Sequence, residues 1–97
     1  MKNQEIKLLN GEVVQLTMNF AKILKMKQDN PTLYNELQDI LKGNMDPIFS
    51  PVKVLYCGYL CTNDAKYTEE QFMELLPFDL QLVNEMSAKL IQASKQK

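Results

Sequence analysis

The 97-residue sequence contains no arginine, no histidine and no tryptophan; all eleven basic residues are lysines. Histidine is the usual general base near neutral pH and the commonest metal ligand, so its absence removes most familiar hydrolytic designs. Arginine is the preferred fork for phosphate and for guanine edges, and its absence speaks against sequence-specific nucleic-acid binding. The three glycines, Gly11, Gly43 and Gly58, are dispersed, so no glycine-rich phosphate loop exists. No run approaches the roughly 18 apolar residues that a membrane span needs. The opening MKNQEIKLLNGE has neither an apolar h-region nor a small-residue cleavage site, which makes the cytoplasm the expected location.

The two cysteines, Cys57 and Cys61, are spaced i, i+4. A zinc site would need two further ligands, and only carboxylates could supply them. A disulfide within one helical turn is strained. Neither thiol has neighbouring cationic residues to lower its pKa, so both are assigned to packing. Glu69, Glu70 and Glu74 share one exposed turn, where favourable charge near a helix N-terminus accounts for them. No catalytic, cofactor-binding or metal-ligating residue is therefore expected, and the chain reads as non-enzymatic.

At 45 % hydrophobic, 24 % charged and a formal net charge of −1, the composition is that of an ordinary globular protein with one modest core, residues 1–97 forming a single domain. Its organising stretch is Ser50 to Thr62, SPVKVLYCGYLCT. Ser50 and Pro51 read as an N-cap and first helical position. Apolar residues then run all round the helical wheel, with Lys53 the only charge, which marks a buried central helix over 50–62. A buried strand is the alternative, and the Ser-Pro start and the length favour helix. Gly58 in mid-helix costs about 1 kcal/mol against alanine, which close approach of a neighbouring element would explain.

Before it, Glu5–Leu9 and Glu12–Leu16 flank Asn10-Gly11 and read as a β-hairpin over 5–17. A two-residue loop would split the apolar set between faces. An odd-length loop with left-handed Gly11 in a G1 bulge puts Ile6, Leu8, Val14 and Leu16 together, leaving Leu9 and Val13 outside. Thr17 or Asn19 caps a short helix to about Gln28, with Phe20, Ile23 and Leu24 expected inward and Lys22, Lys25 and Lys27 on a solvated face. Asn30 and Pro31 open the next helix, whose inner face is Leu33, Leu37, Ile40 and Leu41 and which Gly43 closes. Asn44 to Phe49 connects it to the central helix, with room for one turn opened by Asp46-Pro47.

After Asn63-Asp64, Thr68-Glu-Glu-Gln71 is a capping box, with Tyr67 placed to staple against Phe72. Pro77 ends that helix, and Asp79 caps the last one, with Phe78 placed to staple against Val83. The last helix carries Leu82, Val83, Met86, Leu90 and Ile91, and residues 94–97 read as a fraying tail. The expected class is α+β, mostly α: an N-terminal hairpin followed by about five helices, the helical region covering 19–93. Six methionines are the one unusual allotment; they suit a surface for varied apolar partners, though each taken singly reads as a core gap-filler.

Hairpin, Asn30-Pro31 start, VLYCGYLCTND at Val54 to Asp64 and YTEEQFMELLPFDLQLVNEM at Tyr67 to Met86 together resemble the small tail assembly chaperones of long-tailed, siphovirus-like phages and prophages of Gram-positive bacteria. Tyr56, Tyr59, Glu69, Glu70, Phe72, Leu76, Pro77 and Asp79 fall where that family has a Tyr-x-x-Tyr-like helix, a Glu-Glu-x-Phe helix and a Leu-Pro-x-Asp break. The resemblance implies a non-enzymatic protein of the bacterial host cytoplasm. It would bind the phage tape measure protein and keep it soluble until tail tube subunits polymerise around it. Self-association is compatible with that role, and the family often adds a longer frameshifted form. No ligand motif transfers, and neither nucleic acid nor membrane is an expected partner. A small phage or host regulator acting by protein–protein binding is the alternative.

Overall fold

The computed structural model describes residues 4–44, 46–62 and 66–95, with side chains described through residue 91. The methionine at 45, the Asn63-Asp64 connection and the last two residues of the expected tail lie outside the described residues. In chain order the elements are β1 (Gln4–Lys7), β2 (Val13–Leu16), α1 (Phe20–Asp29), α2 (Pro31–Leu41), α3 (Phe49–Thr62), α4 (Glu69–Leu75) and α5 (Leu80–Lys95). The architecture is α+β, mostly α.

Helix α3 is the central pillar. Nine of its fourteen residues are buried, and the buried set runs right round the helix. Strand β2 and helices α2, α4 and α5 all pack against it. An apolar surface on every side is stabilised only when every side is covered, which is why one helix collects so many neighbours. Gly58 lies where two of them close in. A Cβ built there would sit 3.0 Å from Leu90 Cδ1, 3.3 Å from the Thr17 carbonyl oxygen and 3.4 Å from Leu16 Cβ. The Thr17 N–H also donates to the Gly58 carbonyl at 3.2 Å, and the Thr62 hydroxyl donates to the Gln15 carbonyl. The hairpin is thus fastened to α3 by backbone as well as by side chains.

The hairpin pairs Gln4 with Leu16, Glu5 with Gln15, Ile6 with Val14 and Lys7 with Val13. This register leaves the odd-length loop that the apolar pattern requires. Gly11 has φ +88°, the Leu8 N–H donates to the Glu12 carbonyl at 2.7 Å, and the Gly11 N–H donates to the Leu8 carbonyl at 2.9 Å. Ile6, Leu8, Val14 and Leu16 are all buried, while Leu9 and Val13 face out. Gln15, on the outer face, donates to Glu5 at 2.7 Å.

Caps set most helix boundaries. Asn19 accepts from the Lys22 N–H, and Asn30 from the Leu33 N–H with Pro31 in the first turn of α2. Thr68 and Gln71 form both halves of the capping box of α4, and Asp79 accepts from the Leu82 N–H at the start of α5. At α3 the cap lies further upstream than the Ser-Pro pair suggests. Asp46 accepts from both the Ile48 and Phe49 N–H groups at 2.8 Å, while Ser50, already inside the helix, accepts from the Asp46 N–H at 2.7 Å. Those two N–H groups hold the Asp46 carboxyl below its usual range. Asp46 therefore caps the turn that leads into α3 at Phe49, and Ser50 returns a bond to the cap.

Three inward expectations are corrected. On α1, Met26 is buried and Ile23 half-buried, which turns Phe20 and Leu24 outward at 80 % and 55 % exposure. On α2, Leu33, Leu37 and Ile40 complete the buried stripe, and Leu41 lies past its edge, exposed. Phe78 does not staple; the Pro77 break carries it into solvent at 86 % exposure. The final helix also continues to Lys95, beyond the expected fraying point at Ser94. Met18, Met26 and Met86 are core residues, so the gap-filling role accounts for most of the described methionines.

Replacing Gly58 with alanine gains about 1 kcal/mol of helix propensity but forces a methyl against the Thr17 carbonyl oxygen and Leu90 Cδ1, at an overpacking cost of about 1–3 kcal/mol. Gly58→Ala should lower stability by about 1 kcal/mol net in urea unfolding. A raised midpoint would show that the hairpin and Leu90 yield easily.

Candidate functional site

Among the described residues, ten large apolar side chains are exposed, and five of them, Ile48, Phe49, Met73, Phe78 and Leu80, gather around one groove. The start of α3, the end of α4, the Pro77–Asp79 break and the start of α5 form its walls, with Val52, Leu76 and Val83 at the floor. Its volume is about 180 Å³. The local sequence makes this opening unavoidable. Pro77 cannot continue α4, Asp79 starts α5 at once, and the short break holds two helix ends apart over the first turn of α3. Exposed apolar side chains scattered singly mean little, whereas a contiguous set around a concavity marks a binding surface.

Beside the groove, and sharing Phe49 with it, lies a polar hollow lined by Glu36, Asp39, Asp46 and Lys53. Lys53, the only charge on α3, is bound by two carboxylates, Glu36 at 2.7 Å and Glu69 at 2.8 Å. Partial burial pulls its ammonium pKa down, but hydrogen bonds and charge from Glu36 and Glu69 outweigh this, and the net shift is upward. Lys53 is thus a cation clamped between α2 and α4, not a free amine nucleophile. Asp79 on the groove wall and the carboxylates of the hollow leave this face acidic although the whole chain is nearly neutral.

The Tyr-x-x-Tyr pair has a structural task. The Tyr56 hydroxyl donates to the Tyr67 carbonyl at 3.0 Å, and the Tyr59 hydroxyl accepts from the Tyr67 N–H at 3.2 Å. Two tyrosines one helical turn apart therefore hold both backbone groups of the residue that precedes the α4 cap. The Tyr59 ring lies between Tyr67 and Phe72, with centroids 6.1 and 5.2 Å away, so the expected staple runs through Tyr59. The Tyr67 hydroxyl in turn donates to Glu12 on the hairpin at 2.6 Å, and Lys66 pairs with the same carboxylate at 3.4 Å. The hydrogen bond from Tyr67, only partly opposed by desolvation and supported by Lys66, holds the Glu12 carboxyl below its usual range.

The cysteines are both free and buried. Burial, with Cys61 and Glu69 nearby, pushes the Cys57 thiol well up; burial also raises Cys61, despite an N–H bond from Asn19 and the charge of Lys22. Thiols held in this state are poor nucleophiles. Among the described residues, no group of three or more cysteines or carboxylates is arranged to hold a metal ion, and no helix is long and apolar enough to cross a membrane.

Of the residues that carry the resemblance, Leu76, Pro77 and Asp79 line the groove, while Tyr56, Tyr59 and Phe72 are buried in the core and do not line it. Glu69 clasps Lys53, and Glu70 is exposed. Sequence reasoning did not anticipate the groove itself, because Ile48 and Phe49 at the start of α3 and Phe78 in the break before α5 are distant in sequence and converge only through tertiary packing. No family model, curated protein or solved structure matches the chain.

Because the Glu12 carboxyl is lowered, its contribution to stability is present above the ordinary glutamate range and is lost as pH falls through the lowered value. Tyr67→Phe removes the donor. The stability gap between wild type and Tyr67→Phe should therefore narrow as pH is taken from about 7 to about 3. A gap constant over that range would show that Glu12 gains nothing from Tyr67.

Proposed function

We propose that this protein is a non-enzymatic binding module that takes an apolar helical segment of a larger partner into the groove between α3, α4 and α5. The observation that carries this reading is the convergence of Ile48, Phe49, Met73, Phe78 and Leu80 on one concave surface. An amphipathic helix laid into such a groove buries its anchors at i, i+3 and i+4 spacing. Fully burying one large apolar side chain is favourable by about 1.5–3 kcal/mol, so a few anchors suffice for a reversible complex.

The resemblance to tail assembly chaperones supplies the partner: the phage tape measure protein, kept soluble in the bacterial host cytoplasm during tail assembly. Two features support this assignment. The Leu-Pro-x-Asp break that carries much of the resemblance also builds the groove wall. Several copies along one long helical partner would also make modest single-site affinity sufficient.

The test is co-expression with a phage tape measure protein, followed by purification on a tag carried by this chain alone. The tape measure protein should remain soluble and co-purify, and Phe78→Asp should reduce its recovery about tenfold or more, the loss expected of a large apolar anchor. An insoluble tape measure protein, or equal recovery by both forms, contradicts the reading and moves a regulator acting on another protein ahead of it.

A further inference from the structure

Each strand of the hairpin has one edge toward its partner and one edge away, and the two outer edges differ. Antiparallel pairing alternates, so every second residue turns its N–H and C=O outward. The Leu8 N–H donates to the Glu12 carbonyl at 2.7 Å across the hairpin, which fixes the phase. Gln4 and Ile6 therefore face β2 as Leu8 does, and Glu5, Lys7 and Leu9 face away from it. On β2 the same phase turns Gln15 and Thr17 outward, and α3 covers both. The Gln15 carbonyl accepts from the Thr62 hydroxyl, and the Thr17 N–H donates to the Gly58 carbonyl at 3.2 Å. On β1 the cover stops at Leu9, whose N–H donates to the Leu75 carbonyl at the end of α4 at 2.7 Å. Among the described residues, no hydrogen-bond partner meets the outward backbone groups of Glu5 and Lys7.

An open strand edge is a template for another strand, and the side chains on this one narrow the choice. Glu5 and Lys7 are both exposed, next but one to each other and opposite in charge. The Glu5 carboxylate accepts from the Gln15 side chain at 2.7 Å, and Lys7 has no ion-pair partner among the described residues. A second copy of the same edge can approach antiparallel in three registers that oppose outward residues. Two of them set like against like, Glu5 on Glu5 or Lys7 on Lys7, which is unfavourable directly across a ladder. The third sets Glu5 on Lys7 and Lys7 on Glu5, with Ile6 at the two-fold axis. Only there do the outward groups of Glu5 and Lys7 from both copies all pair with one another, leaving the Leu9 bond to α4 intact.

We propose that β1 of one copy pairs antiparallel with β1 of a second copy, Glu5 opposite Lys7, joining the two hairpins into one four-stranded sheet. Main-chain hydrogen bonds supply the attraction, and the charge pairs select the register. The contact is isologous: both copies use the same edge, and forming it uses that edge up, so association ends at two copies. No residue of β1 lines the groove, so this pairing is independent of the partner-binding reading.

Sedimentation velocity over a range of concentrations, with amide hydrogen exchange followed by NMR, tests it on wild type and on Glu5→Lys and Lys7→Glu. Both replaced side chains are exposed, and circular dichroism checks that each variant keeps the wild-type fold. Wild type should pass from monomer to dimer and no further, and the Glu5 and Lys7 amides should gain protection as the dimer forms. Each single variant sets like charges opposite one another and should raise the dissociation constant about tenfold or more. Mixed in equal amounts, the two variants should associate as tightly as wild type, because opposite charges face each other again. The variant carrying both changes should do so on its own. A wild type that stays monomeric at millimolar concentration, or assembly beyond a dimer, would overturn the proposal. So would Glu5 and Lys7 amides that exchange alike in monomer and dimer, or a mixture that associates no more tightly than either variant alone.

Discussion

Covering α3 on every side is the constraint on which the rest of the structure depends. A helix with buried residues all round cannot rest on one face of a domain; it must be enclosed, and here the hairpin, α2, α4 and α5 enclose it. Gly58 sets how closely two of these neighbours approach, since Leu16, Thr17 and Leu90 occupy the space a side chain would take. Tyr56 and Tyr59, two residues before Gly58 and one after it, then hold the backbone at Tyr67 and so place the α4 cap. Core packing, hairpin docking and the position of α4 are consequences of one buried helix.

The groove follows from where that enclosure ends. The first turn of α3 extends past the end of α4, and the Pro77 break opens the angle between α4 and α5 instead of filling it. Phe49 and Phe78, large and exposed, stand at its rim. The Lys53 clamp steadies the neighbouring wall by tying α3 to Glu36 of α2 and Glu69 of α4, with enough burial that solvent screens it less than an open surface pair. On the proposed reading, a docking surface built on helix ends would need little ordering when a partner arrives, which would favour reversible binding.

Much of the fold was legible because local rules and burial agreed. Parity of the hairpin loop followed from placing Ile6, Leu8, Val14 and Leu16 on one face, and the Gly11 conformation completed it. The Asn30, Thr68 and Asp79 caps were readable because each helix start is determined within four residues. What was not legible depended on contacts distant in sequence. Helix α1 offers two overlapping apolar faces, one with Phe20 and Leu24 and one with Ile23 and Met26, and only docking against the rest of the domain selects between them. Phe78 was equally open: a staple to Val83 satisfied the local pattern, and the geometry of the Pro77 break decided otherwise. The two acidic partners of Lys53 lie on other helices and leave no signature near it.

The claim that α3 organises the domain is tested most directly by native-state hydrogen exchange resolved by residue. If α3 is the enclosed pillar, amides from Val54 to Cys61 should exchange only through global unfolding, while those of α1, whose outer face is uncovered, should open at lower free energy. Amides of α3 that exchange as readily as those of α1 would contradict the account, because the central helix would then be no more enclosed than the periphery.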